Sequence, residues 1–228
     1  MTPQISTRNV RLAPLLLLAA LGCRSNNDIS SAGGKALAVP TDVSDPESAA
    51  SLIRAAKEEL GSVDVLVNNA GVMLLGPVLG AELEHRQRMV NVNLLGLLYC
   101  THAALPVMQE QGRGHIVNVS SVAGRVARLG SGVYNATKWG VGAFSESLRQ
   151  EGANYNVRVT IVEPGFVDTE LQGHNEHPLV VERMEKTREQ IGEILKADDI
   201  ANAIVYAVTQ PDYVGINEVL VRPTKQRD

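Results

Sequence analysis

Cysteine is nearly absent. The 228 residues hold two, Cys23 and Cys100, which make neither a disulfide framework nor a metal-ligand set. No run of 18 consecutive apolar residues occurs, so the sequence offers no ready membrane span. Positive charge is scattered: Lys and Arg total 21 against 25 Asp and Glu, a net charge of −4. Without a basic stripe, nucleic acid is a poor candidate partner. Internal repeats and low-complexity linkers are also missing, so nothing marks off a second folded domain. What is present is a globular composition, 44% hydrophobic and 20% charged, in a length that supports a core without staples.

Residues 1–32 stand apart from the rest. Arg8 and Arg11 precede an uncharged run, LAPLLLLAALGC (12–23), with small residues at Ala20 and Gly22. A positive start and a short apolar run resemble a secretory signal, or a lipoprotein attachment site at Cys23. The run also reads as a degenerate buried strand or helix of the domain, and the segment as a misassigned start or a frame error. The remainder of the chain has a cytoplasmic character, which places the last two readings ahead of export or anchoring through Cys23.

From Lys35 a regular pattern begins. KALAVPTDV (35–43) reads as a strand, and Ser44 with Glu47 as the cap of a helix, with Pro46 in its first turn. Leu52, Ile53, Ala56 and Leu60 share one face of that helix, and Gly61 ends it. VDVLVNNAG (63–71), HIVNVSS (115–121) and VRVTIVEPG (157–165) are near-continuous apolar runs, as expected of strands buried on both faces of a parallel sheet. INEVLVRP (216–223) reads as a closing strand. Between them lie helices over 82–111 (Met89, Val92, Leu95 and Tyr99 at helical spacing) and 134–152. A polar lobe with helical character follows at 166–195. Asp198 and Asp199 open a last helix with Ile200, Ile204, Val205 and Val208 inward. Strands alternating with helices predict an α/β fold with a mainly parallel sheet.

Parallel sheets bind ligands at the carboxyl ends of their strands. Polar residues gather at those ends here: Asp42, Asn68 and Asn69, Ser120 and Ser121, Pro164 and Gly165. The sharpest local pattern is YNATK, in which Tyr134 and Lys138 lie four apart on one helix face. A phenol is a poor base at its ordinary pKa of about 10. A cation held within about 4 Å contributes roughly 4 kcal/mol at an effective dielectric of about 20, the scale needed to move that pKa toward neutrality. Tyr134 would then exchange a proton with an alcohol or carbonyl oxygen, with Ser121 hydrogen-bonded to the same oxygen. Plainer readings exist. Tyr-x-x-x-Lys is commonly a solvated surface pair, Asn68 and Asn69 can pin a turn, Asn93 can be a satisfied core amide, and Asp42 can cap a helix. Trp139 and Phe144 suit packing at a subunit contact. His102, His174 and His177 show no ligand spacing, and Cys100 suits the core.

Five motifs in order, NNAG (68–71), NVNLLG (91–96), NVSS (118–121), YNATK (134–138) and PGFVDTEL (164–171), resemble those of the classical short-chain dehydrogenases/reductases. The 13-residue spacing from Ser121 to Tyr134 is similar too, and the resemblance covers about residues 33–223. It implies a Rossmann-like, doubly wound α/β domain over 33–228 beside the atypical 1–32 segment. It also implies hydride transfer between NADP or NAD and a secondary alcohol, ketone or aldehyde, without metal. By the same resemblance Tyr134 is the general acid/base. Lys138 lowers the tyrosine's pKa and holds the nicotinamide ribose, Ser121 polarises the substrate carbonyl, and Asn93 holds a relay water. Asp42 and Val43 lie against the adenine, and Asn68, Ala70 and Gly71 floor the cofactor site. Pro164, Gly165, Val167 and Thr169 flank the nicotinamide.

The family's first βαβ unit carries a turn of the type TGxxxGxG, whose backbone approaches the pyrophosphate. The 228 residues contain no such turn; before Gly61 the glycines are Gly22, Gly33 and Gly34. That unit is therefore expected to be missing or degenerate. It would leave two strands with unpaired backbone and dinucleotide binding weak or lost. Two functions follow as alternatives: an oxidoreductase, or a non-catalytic remnant that keeps the family's oligomerisation surface. In the family the helices at 82–111 and 133–152 build a homodimer or homotetramer. The tail GINEVLVRPTKQ (215–226) resembles a subgroup acting on 3-hydroxy acids and similar small alcohols, often with NADP. Expected partners are thus a small alcohol or carbonyl compound and copies of the chain, without nucleic acid, in the cytoplasm.

Overall fold

The computed structural model describes residues 33–175 and 177–227. The readings of residues 1–32, including Cys23, lie outside the described residues. Four strands, β1 (Val65–Asn68), β2 (Gly114–Val119), β3 (Val157–Pro164) and β4 (Glu218–Val221), pair in that order, all parallel. Leu66 pairs with Ile116, and Ile116 with Val159, so one apolar row faces the same side across three strands. The next row, Val67 and Val117, faces the other side. Both faces are covered, which is why these strands are apolar without alternation.

The helices are α1 (Pro46–Leu60), α2 (Leu83–Val90), α3 (Leu97–Gln111), α4 (Gly132–Gly152), α5 (Pro178–Ile191) and α6 (Ala197–Val208). A π-helical turn, Asn91–Gly96, joins α2 to α3 without a break. One core lies between the sheet and α1, α3 and α4: Ile53, Leu66, Ala104, Met108, Ile116 and Leu148 meet there. The second lies under α6, where Ile200 packs on Val67, Val117 and Val162. Helices on both faces of a parallel sheet make the doubly wound α/β arrangement that the sequence predicts. The continuous run Leu83–Gln111 is long enough to span a membrane, and an 18-residue window within it reaches a mean hydropathy of 1.3. One face of it lies in the first core, through Cys100, Ala104 and Met108. Burial there pushes the Cys100 thiol up to about 11.

Three expectations are corrected. Residues 35–43 form no strand. A strand needs a neighbour's ladder, and among the described residues none lies beside this stretch or beside the outer edge of β1. Ser44 is not the cap of α1. Asp45 takes that place, its carboxylate accepting from the backbone N–H groups of Glu47 and Ser48 at 3.3 and 3.1 Å, while Glu47 pairs with Arg54. Val205 is exposed rather than inward. The inward face of α6 is Ile200, Ile204, Ala207 and Val208, spaced i, i+4, i+7 and i+8, and Val205 falls off that stripe.

Candidate active site

The site forms where β1, β2 and β3 end. β2 runs out at Val119, and Ser120 ties its exit to α4 by donating to the Lys138 carbonyl at 3.1 Å. Gly124 is required beside this tie: a Cβ there would lie 2.8 Å from Ser120 Oγ and 2.9 Å from the Lys138 carbonyl oxygen. Ser121 follows, its hydroxyl accepting from the Ala123 N–H at 3.1 Å and opening the single turn Val122–Gly124. The chain then reaches α4, which carries Tyr134 in its first turn and Lys138 one turn on. Both are only 6% exposed, so the pair is no solvated surface feature.

Lys138 Nζ donates to the Val119 carbonyl at 2.9 Å and stands 5.8 Å from the centroid of the Tyr134 ring. Burial pushes Tyr134 up to about 12, with the Ser121 side chain pulling the other way. Burial also drops Lys138 to about 8. Desolvation is the largest cause in both cases, since each group loses water on burial.

The remaining sequence-derived residues divide into floor and frame. Asn93, on the π-helical turn, uses its side chain on the backbone of Val72: Oδ1 accepts from the N–H at 2.8 Å and Nδ2 donates to the carbonyl at 2.9 Å. It thereby pins the exit of the NNAG loop. Gly71 lies in the angle between the two helices, where an added Cβ would sit 3.5 Å from Asn93 Oδ1 and 4.0 Å from Lys138 Nζ. Asn68 donates to Asn118 Oδ1 at 2.8 Å and Thr101 Oγ1 at 3.1 Å, joining β1 to β2 and α3. Ala70 packs against the first core. Asp42 accepts from the Ser44 N–H and hydroxyl at 2.9 and 2.7 Å, which holds its carboxyl below the usual range. Val43 is a core residue pressed on Gly96. Beyond β3, Gly165 donates to the Val221 carbonyl at 2.7 Å, and a Cβ on it would run into the Gln226 side chain. Val167 is buried, and Thr169 is exposed with its hydroxyl donating to Gln172 at 3.1 Å. Trp139 is half-exposed on α4, whereas Phe144 packs on its own chain's core.

One device is absent from the sequence reading. Arg125, just past the Ser121 turn, donates through Nε to Glu163 on β3 at 2.6 Å and through Nη2 to Glu218 on β4. It locks the serine turn to the strand that leads into Pro164. The sequence holds one clue, a carboxylate inside the apolar run VTIVEP, since a buried charge demands a partner. The partners lie 38 and 93 residues from Arg125, where no spacing rule reaches.

The cleft above Tyr134 has two lobes, of about 310 and 240 Å³. They share Leu75, Pro77, Gly130, Ser131, Tyr134 and His177, and Ser121 faces the smaller. The loop after β1 and the segment before α5 are clasped over the cleft by Asn175, whose Oδ1 accepts from the Leu75 N–H at 2.7 Å. A buried phenol and a half-buried serine in a cleft wall, backed by a buried ammonium, can deliver a proton to a carbonyl oxygen.

The sequence profile of the short chain dehydrogenases matches residues 21–180. The chain belongs to the short chain dehydrogenase family. Glycine betaine reductase of Emericella nidulans is 40% identical over 196 residues, 86% of this chain and 15% of that much longer protein. An oxidoreductase of Staphylococcus saprophyticus is 40% identical over 188 residues, which cover 82% of this chain and 75% of that one. Among solved structures, the closed form of a serine dehydrogenase complexed with NADP+ superposes with a TM-score of 0.76 at 35% identity, over 83% of this chain and 76% of that one. An alcohol dehydrogenase of Thermococcus sibiricus complexed with 5-hydroxy-NADP gives 0.75 at 27% identity, covering 88% of this chain and 80% of its own.

For a short chain dehydrogenase, the residues present fit the nicotinamide end of a dinucleotide. Gly71 leaves open the space a side chain would take beside Asn93 and Lys138, and Lys138 has donors beyond the one given to Val119. No described residue supplies a glycine-rich turn for the diphosphate end.

Proposed function

We propose that this chain is an NAD(P)-dependent oxidoreductase interconverting a secondary alcohol and a ketone or aldehyde, with small 3-hydroxy acids among its candidate substrates. The observation that carries the reading is Tyr134 and Ser121 in one cleft wall, with buried Lys138 one helical turn on, at the carboxyl ends of the strands. The NADP-bound relatives support NADP over NAD as the cofactor. When bound, the nicotinamide supplies the hydride or receives it.

The protein's own part is proton management and positioning. Tyr134, held well above neutrality, is fully protonated at pH 7 and suits the acid role in carbonyl reduction. Ser121 would hydrogen-bond the substrate oxygen and fix it beside the phenol. Lys138 would hold the nicotinamide ribose with its remaining N–H groups. Gly71, Asn93 and Ala70 would floor that site, and Pro164, Gly165, Val167 and Thr169 would flank the ring. Asn93 would hold the relay water through atoms other than its side-chain amide, which is engaged with Val72. Asp42 and Val43 would mark the adenine end.

The diphosphate end supports a narrower statement. With no TGxxxGxG turn in the 228 residues, they bind dinucleotide weakly. This favours, as a second reading, a non-catalytic remnant assembling as a homodimer or homotetramer through 82–111 and 133–152, where Trp139 is exposed. Carbonyl reduction assayed with NADPH and NADH at high concentration, in the protein and in Tyr134→Phe, separates the two. The oxidoreductase reading expects turnover that falls at least about 100-fold in the variant. Turnover unchanged in Tyr134→Phe, or absent from both at any cofactor level, would sink it.

A further inference from the structure

Six of the twelve described arginines are matched with carboxylates. Arg54 meets Glu47, Arg113 meets Asp64, Arg125 meets Glu163 and Glu218, Arg149 meets Glu146, Arg158 meets Asp212, and Arg188 meets Asp168. Arg183, like Arg86, donates to backbone carbonyl oxygen instead. It lies on α5, the helix that roofs the smaller lobe, and its guanidinium donates to a backbone carbonyl, that of Leu129, at 2.7 Å. No described carboxylate pairs with it. The Leu129 bond braces the guanidinium across the lobe, from the roof to the segment that leads into Tyr134. A carbonyl brace uses one of five N–H donors and neutralises no charge.

The lobe itself is built in the same sense. None of its described lining residues is an aspartate or glutamate, in a chain where acids outnumber bases by four. Its polar lining also includes a second arginine, Arg128, with Gln172 and Thr187, and the catalytic pair Ser121 and Tyr134 stands in its wall. A site designed for a neutral alcohol gains nothing from an unmatched guanidinium. A carboxylate in that lobe would meet a planar fork whose geometry it fits.

We infer that the smaller lobe is a carboxylate subsite, that Arg183 is the residue that recognises it, and that the substrate is an anion bearing its carbonyl or hydroxyl group within reach of Tyr134. This rests on the oxidoreductase reading for the reacting group but not for the binding. Arg183 acts as a specificity-determining residue: it contacts the substrate's acid, not the reacting carbon.

The test uses 3-hydroxybutyrate as the acid probe and its methyl ester as the neutral one. Binding of each is titrated without cofactor to the full chain and to Arg183→Lys, Arg183→Gln and Arg183→Met. The acid should bind at least tenfold more weakly to Arg183→Met and Arg183→Gln, with part of the loss restored in Arg183→Lys. The ester should bind all four alike, which also shows that the variants are folded. Equal affinity of the acid for Arg183→Met and the unaltered chain, including no binding to either, overturns the subsite, as does a matching loss of acid and ester. Oxidation with NADP+ is scored separately. Acid binding through Arg183 with no hydride transfer refutes the oxidoreductase reading and leaves the subsite standing, whereas oxidation of both probes without preference for the acid refutes the subsite alone.

Discussion

Burial moves Tyr134 and Lys138 toward their uncharged forms, the phenol up to about 12 and the ammonium down to about 8. The lysine's shift has a consequence for stability. Its folded-state value lies below the ordinary 10.5, so between pH 8 and 10.5 the unfolded chain holds a proton that the folded one has released. Stability therefore rises with pH through that window, and the cost of burying the charge is fully present below pH 8. Lys138→Met should accordingly raise stability at pH 7, by roughly 1–3 kcal/mol after the lost bond to the Val119 carbonyl is counted. The gain should shrink as pH rises from 8 to 10.5. Urea denaturation at pH 7 and pH 10 measures it; a variant less stable than the parent at pH 7 would contradict the account. A site that is more stable without its lysine is a site kept for chemistry rather than for folding.

At the scale of elements, the π-helical turn Asn91–Gly96 sets the site. It carries Asn93 against Val72 and lays Gly96 on Val43. A Cβ on Gly96 would fall 2.8 Å from Val43 Cγ2 and 3.1 Å from its carbonyl oxygen. Backbone cannot yield as a long side chain can, so Gly96→Ala should cost about 1–3 kcal/mol and loosen the Asn93–Val72 clasp. A denaturation midpoint equal to the parent's would show that the contact is slack. Much of this level was legible in the sequence. β2 and β3 are legible as unbroken apolar runs, and the motifs NVSS and YNATK name Ser121 and Tyr134, which the fold brings into one cleft wall. Stretch 35–43 was misread because strand propensity says nothing of whether a neighbour supplies the ladder. Val205 was misread because a run of apolar residues hides which of them leaves the stripe. The Arg125 lock was illegible because contacts across three elements leave no local period.

Over the whole molecule, two apolar cores sandwich a four-stranded sheet, and the carboxyl ends of three strands converge on one cleft. Tyr134 stands in its wall, and Gly71, Asn93 and Lys138 lie together behind it, where the proposed nicotinamide would be held. The outer edge of β1 has no strand beside it among the described residues, and the sequence contains no TGxxxGxG pattern. Binding energy should therefore come almost wholly from the nicotinamide half of the cofactor. The most direct measurement is a titration of the 228-residue chain with NADPH and, in parallel, with reduced nicotinamide mononucleotide, which lacks the adenylate half, each repeated on Lys138→Met. The account predicts weak and nearly equal affinities for the two ligands, both lost in the variant. Micromolar binding of NADPH, far tighter than that of the mononucleotide, would contradict it.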